Sequence, residues 1–227
     1  MNVGGSIEAA TSLFGRSDFL YTKRTVEIKG EVNMPLDWKL AVRYYNGVGY
    51  GHIPMQTKYY FAGGSPLAQI EVPFYRSKGL IPSTIHDHAL FPGDGNMRRY
   101  FDALLTGDKI DAVNGEARFP ALIPFVNLDV PIIRDITRMF RSSLFFDAGR
   151  IAYYYENLWN KRYEVDWGFG IRLTSLAYVL GPLIASDMIS GLGLYAIRVD
   201  FPLYVSMPLI GEEKFKYRWI VSLSQSF

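Results

Sequence analysis

The sequence predicts an all-β, antiparallel fold, and three observations predict it. Apolar and polar residues alternate with a period of two through about eight segments of the 227-residue chain. The first three segments are separated by short turn-forming stretches, which makes them antiparallel neighbours. No run of about 18–20 apolar residues occurs, so no helix is expected to cross a membrane.

The most strongly patterned segment is the last. Phe215, Tyr217, Trp219, Val221, Leu223 and Phe227 lie on one parity, and Lys216, Arg218, Ser222, Ser224 and Ser226 on the other. A long, half-aromatic strand is an aggregation hazard as an open edge in water. Closed into a barrel within a membrane, it has no edge and its apolar face meets lipid. Composition fits a membrane barrel and a tyrosine-rich soluble β-protein equally. Aromatic residues make up 15% of the chain, with 16 Tyr, 15 Phe and 4 Trp, and Tyr and Trp suit a boundary that is apolar on one side and wet on the other.

In chain order, the first strand is expected over residues 2–13, with Val3, Ile7 and Ala9 opposing Ser6 and Glu8. The second covers 22–34, where Val26, Ile28, Val32 and Met34 oppose Lys23, Thr25, Glu27, Lys29 and Glu31. After the turn at Pro35–Asp37, the third covers 37–46, with Trp38, Leu40, Val42 and Tyr44 against Lys39, Arg43 and Tyr45. The alternation then fails from about 47 to 109. A connection of that length in a compact fold is a functional loop or a small subdomain. Strands resume at 111–119, 141–155, 163–174 and 193–204 and end with 215–227. Short helices are expected near Ile132–Phe140 and within the apolar stretch 175–190.

One face of these strands is continuously apolar. The other repeatedly carries both charge signs, including Arg43, Glu116, Arg118, Asp147, Glu164, Arg172, Arg198, Asp200 and Arg218. Alternation alone does not say which face is outside. Strand length, aromatic strand ends and the terminal phenylalanine favour lipid outside and a polar lumen.

A net charge of +2 without blocks of like charge implies no nucleic-acid partner. The absence of cysteine excludes disulfides, thiolate metal sites and a cysteine nucleophile. His86 and His88 could meet a metal, but two imidazoles at that spacing without a further ligand read as loop polars. No nucleophile elbow, zinc-protease helix or phosphate-binding glycine loop is present. The chain is therefore expected to be no enzyme and to need no cofactor. No leader pattern precedes the first alternation, so an exported N-terminal part is expected outside this sequence.

Six short motifs in order suggest a family. Gly93–Tyr100 reads GDGNMRRY, and Asn114–Pro120 reads NGEARFP. Then come Phe145-Phe146-Asp147-Ala148-Gly149, Gly168-Phe169-Gly170-Ile171-Arg172, Gly181-Pro182 and Arg198-Val199-Asp200-Phe201-Pro202-Leu203. In that order they resemble the C-terminal barrel of the BamA/TamA-type outer-membrane assembly factors, the bacterial surface antigen family. The resemblance covers nearly the whole chain and is most specific from Phe61 onwards.

The resemblance implies the C-terminal half of a sixteen-stranded transmembrane barrel in a bacterial outer membrane, whose long loop folds back into the lumen. It makes Arg98 the loop-tip arginine, Tyr100 the tip aromatic and Asp147 its partner on the wall. Arg99 stands where the family has glycine, a second charge needing a partner such as Glu116 or Glu164. Trp219, Leu223 and Phe227 become the C-terminal assembly signal. The implied partners are outer-membrane lipid and client outer-membrane proteins or periplasmic assembly factors, and the implied activity is insertion or translocation of those clients. The alternative is a barrel that anchors or exports an N-terminal domain, such as a hydrolase. A self-contained eight-stranded barrel and a soluble β-protein are further readings.

Overall fold

The computed structural model describes residues 1–10, 19–61, 93–98, 105–120, 140–173, 195–208 and 211–225. The described residues form one eight-stranded antiparallel sheet and a small two-stranded ladder. The strands are β1 (Asn2–Ala10), β2 (Tyr21–Met34), β3 (Trp38–Gly51), β4 (Tyr59–Tyr60), β5 (Thr106–Gly107), β6 (Lys109–Pro120), β7 (Phe140–Ala152), β8 (Glu164–Leu173), β9 (Tyr195–Val205) and β10 (Ile220–Gln225). The order in the large sheet is β1-β2-β3-β6-β7-β8-β9-β10, and β4 pairs with β5. β1 and β10 are the two edges and do not pair with each other, so the sheet is open among the described residues. Of the segments expected as helices, residues 132–139 and 175–190 lie outside the described residues, and Phe140, expected to end the first, opens β7 instead.

Among the described residues, three strand ends differ from the sequence reading by three residues or more. β3 runs on to Gly51, because its glycines let other chain segments lie flat against it. A Cβ at Gly47 would sit 2.4 Å from the Tyr59 ring, and Gly49 N–H donates to the Asp108 carbonyl at 2.7 Å. β7 stops at Ala152, where a turn closes with Glu156 N–H donating to the Tyr153 carbonyl. The C-terminal strand was expected from 215 and begins at Ile220. Before that, only Phe215 bridges to Tyr204. The Arg218 side chain turns inward to the Glu212 carboxylate and the carbonyls of Glu213, Lys214 and Lys216, which draws this segment off the ladder.

The strands carry the expected alternation, and burial assigns its faces. On β7, Leu144 and Phe146 are 53% and 48% exposed, whereas Ser143, Phe145 and Asp147 between and beside them are buried. On β8, Trp167, Phe169 and Ile171 are exposed, while Asp166 and Arg172 are buried. On β3, Leu40 and Val42 are exposed and Arg43 is buried. The wall is thus inverted relative to a water-soluble sheet, with charges inward and apolar side chains outward. Outward aromatics stack across strands: Phe169 on Phe201 at 4.7 Å, Trp167 on Tyr204 at 6.2 Å and Trp38 on Phe119 at 4.8 Å between ring centroids.

The connections β1–β2, β3–β6, β7–β8 and β9–β10 share one end of the sheet, the loop end. The opposite, turn end holds the tight β2–β3 hairpin, in which Leu36 and Asp37 both have left-handed backbones (φ 64° and 59°). That geometry matches strand twist but strains a leucine by about 1–2 kcal/mol. Leu36 is 85% exposed, so its side chain offers little compensation. Leu36→Asn is therefore expected to stabilise the β2–β3 hairpin by about 1 kcal/mol, read as slower amide exchange over residues 32–40. Exchange that is unchanged or faster would show that the turn is not strained.

Candidate functional site: a buried arginine clamp

Glycine and asparagine shape the tip of the long connection. Asn96 takes a left-handed backbone (φ 49°), which asparagine tolerates, and its N–H donates to the Gly93 carbonyl at 3.0 Å. Gly95 N–H donates to the Tyr60 carbonyl at 2.9 Å, and Met97 N–H to the Phe61 carbonyl at 3.0 Å. A Cβ at Gly95 would meet Phe61 atoms at 3.0–3.1 Å, so a side chain here would push Phe61 aside by a few tenths of an ångström and glycine suits the close approach. The tip therefore packs on Tyr59–Phe61, and both lie against the charged face of the wall. Burial pushes the Tyr59 hydroxyl up to about 12, and this hydroxyl donates to the Arg24 carbonyl at 2.9 Å. Tyr45, Tyr59, Phe61, Met97, Ile110, Val205 and Ile220 form an apolar cluster beneath the tip.

At the end of the tip, Arg98 is fully buried. Its Nη2 donates to Glu116 Oε2 at 2.7 Å. Its Nε lies 3.6 Å from Asp147 Oδ2 and 3.6 Å from Asp200 Oδ2. The guanidinium sits over the Phe145 ring, 4.1 Å from its centroid. Burial opposes this charge, but the carboxylates of Asp147, Asp200, Glu116 and Asp166 outweigh it and hold Arg98 above its ordinary range.

Glu116 gathers further cations. Arg118 Nε lies at 3.0 Å, Arg172 Nη2 at 3.2 Å and Arg198 Nη1 at 3.6 Å from its oxygens. Asn114 joins the tip to the wall. Its Nδ2 is within donating distance of the Gly95 and Asn96 carbonyls and Asp147 Oδ1, and its Oδ1 accepts from Arg43 Nη1 at 3.0 Å. Asp94 is the second anchor. Its carboxylate accepts from the Tyr45 hydroxyl and the Tyr60 N–H, both at 2.9 Å, and its carbonyl accepts from Arg43 Nη2 at 2.8 Å.

The structure thus brings Arg98, Asp147 and Glu116 together. Glu164 lies apart at the loop end, accepting from Ser206 Oγ at 2.6 Å. Arg99, Tyr100, His86 and His88 lie outside the described residues, as does Phe227. Trp219 is half-buried in the irregular run before β10, and Leu223 lies in β10 opposite Ile197. Sequence reasoning did not single out Asn114, Asp94, Asp166 or Asp200 for the site. The signal was available for three of them, because Asn114, Asp166 and Asp200 occupy the polar parity beside the motif residues.

A second ion pair lies on the outward parity at the loop end. Arg150 Nε and Nη2 reach Asp111 Oδ2 at 3.1 and 2.9 Å, and the Tyr163 hydroxyl donates to the same oxygen at 2.5 Å. The Trp159 and Tyr163 rings flank the guanidinium, with centroids at 4.3 and 4.5 Å.

Chemically, the clamp is an electrostatic fastener. Among the described residues no group of three or more His, Cys, Asp and Glu side chains is placed to hold a metal ion. A scan against protein-family models and a search of curated proteins found no match to this chain.

Removing Arg98 leaves three buried carboxylates without their shared cation, an arrangement that costs about 3–5 kcal/mol for a buried pair. Arg98→Ala is expected to speed limited proteolysis of the long connection sharply, and Asn114→Ala to do so more weakly. Arg98→Lys, which keeps the charge and loses the fork, should fall between wild type and Arg98→Ala. Cleavage of Arg98→Ala at the wild-type rate would show that the clamp does not hold the loop.

Proposed function

We propose that this chain is wall and loop of a bacterial outer-membrane β-barrel of the surface antigen type, assisting insertion or translocation of outer-membrane proteins. The inverted wall is the observation that carries this reading. In water, contiguous outward rows of Leu, Val, Phe and Trp would be an association surface, whereas in a bilayer they are the solvated face.

The dimensions agree. At about 3.4 Å per residue the outward row from Val165 to Leu173 runs about 27 Å, or about 20 Å of height at a tilt near 45°. An outer-membrane apolar band is about 25 Å tall and flanked by aromatic girdles. The Asp111–Arg150 pair with Trp159 and Tyr163 bounds the apolar rows at the loop end, and Trp38 on Phe119 bounds them at the turn end. The arginine clamp supports the assembly-factor reading in particular, since the resemblance implies a loop-tip arginine seated against a wall carboxylate. On this reading the edges β1 and β10 pair with further strands of the same barrel, and strand addition at such an edge receives client strands.

Membrane fractionation and tryptophan quenching test the location. Of variants keeping one tryptophan, that with Trp167 should be quenched most by mid-chain brominated lipid, and those with Trp159 or Trp38 less. Phe169→Arg should lower recovery in the membrane fraction, since a cation on the lipid face costs about 2–4 kcal/mol at mid-depth. Recovery in the soluble fraction with Trp167 unquenched would overturn the membrane reading. Depleting the protein from its own cell should lower the levels of other outer-membrane β-proteins; unchanged levels would favour an anchoring or exporting barrel.

A further inference from the structure

We propose that the turn end of the charged face carries an oxyanion site built on Arg141, Arg172 and Ser222. The reason is a row of like charges that the strand register imposes. Arg141 lies directly opposite Arg172, and Arg172 directly opposite Arg198. Ser222 continues the row on β10, opposite Arg198. Lys39 and Arg118 form another directly opposed cation pair across β3 and β6. Like charges placed opposite each other destabilise a sheet, so a row of three arginines on a largely buried face needs anions.

Each nearby acid already faces a cation, although Asp200 Oδ1 has no hydrogen-bond partner among the described residues. Glu31 serves Lys39 at 3.1 Å and Arg118 at 3.4 Å. Glu116 serves Arg98, Arg118 and Arg172, and Asp200 Oδ2 lies 2.6 Å from Arg198 Nε. Three donors remain. Among the described residues, Arg172 Nε and Ser222 Oγ are buried without a hydrogen-bond partner, their residues being 4% and 3% exposed. The half-buried Arg141 side chain makes neither a hydrogen bond nor an ion pair among the described residues. Unmatched buried donors of this kind are where a bound group is expected.

The Arg141 guanidinium, the free Nε of Arg172 and the Ser222 hydroxyl together select an oxyanion, because carboxylate and phosphate oxygens match the guanidinium fork. With strands about 4.8 Å apart, the row from β7 to β10 spans about 14 Å, enough for one phosphate or one or two carboxylates. The site faces away from the apolar rows, so its ligand arrives from the aqueous side, as a small anion or as acidic side chains of a peptide. It rests on the sheet register and the unmatched donors and goes beyond the membrane reading, whose failure would leave it standing.

Binding of hexaglutamate and of inorganic phosphate to the detergent-solubilised full chain tests the site. At least one probe should bind saturably and more weakly as salt rises. Arg141→Gln and Arg172→Gln should each weaken that binding about tenfold or more, the worth of a lost charge-assisted hydrogen bond. Arg24→Gln, an exposed cation on the opposite face, should leave it unchanged. Binding of hexaglutamate assigns the site to acidic peptides, and binding of phosphate alone assigns it to a small anion. If neither binds saturably, or if Arg141→Gln binds as wild type does, the site does not exist. Because Arg141 is half-buried and unpaired, its variant keeps the test decisive even where Arg172→Gln fails to fold.

Discussion

A buried guanidinium must be answered by carboxylate, and much of this structure follows from that constraint. Arg98 is fully enclosed and lies within 3.6 Å of acids on three different strands: Glu116 on β6, Asp147 on β7 and Asp200 on β9. These acids approach one another only because β6, β7, β8 and β9 are consecutive in the sheet with fixed register. The cation offsets their mutual repulsion, and they offset its desolvation. Each half alone would leave buried charge unanswered, so loop and wall specify each other. A cluster of this kind gives little net stability against an apolar alternative, and its value lies in fixing one loop position.

The same constraint explains why the wall is inverted. A sheet with Arg43, Glu116, Arg118, Asp147, Asp166, Arg172, Arg198 and Asp200 on one face cannot bury that face against an ordinary apolar core. It can bury it only against polar groups that answer it. Asp94, Asn114 and the backbone carbonyls of Gly95 and Asn96 do so around the tip. Apart from the small cluster of Tyr45, Ile110, Val205 and Ile220 beneath the tip, the wall's aliphatic and aromatic residues largely project outward. Glycine is needed wherever the loop and the wall charges approach most closely. At Gly170 a Cβ would lie 2.3 Å from Asp200 Oδ1, and at Gly149 it would lie 3.0 Å from the Phe61 ring.

The antiparallel order of the eight strands was legible in the sequence because period-two alternation is local, and each strand states its own face. The seating of Arg98 near Asp147 was legible through the motif order, whereas Glu116, expected to answer Arg99, is instead the acid 2.7 Å from Arg98. What was not legible depends on contacts far apart in sequence. Gly47, Gly49 and Gly51 read as loop, yet they extend β3, because the Tyr59 ring and the Asp108 carbonyl fill the space a side chain would take. Phe215–Trp219 reads as ideal strand, yet Arg218 finds better acceptors in the turn before it than a ladder position offers. Asp111 and Arg150 break the outward apolar parity, and only their juxtaposition across β6 and β7, sealed by Trp159 and Tyr163, makes that break intelligible.

The distribution of charge along the polar face adds a final constraint. Acids dominate its centre, where Asp147 lies directly opposite Asp166, and bases dominate its turn end, where arginines oppose arginines. Random placement of a neutral total would scatter the signs and satisfy each pair locally. Segregation leaves two fields of opposite sign within one wall, and each requires a guest of the other sign. The central acidic field has its guest in Arg98, supplied by the loop. The basic field at the turn end retains unanswered donors in Arg141, Arg172 and Ser222, so the logic that seats the loop tip also calls for an anion there.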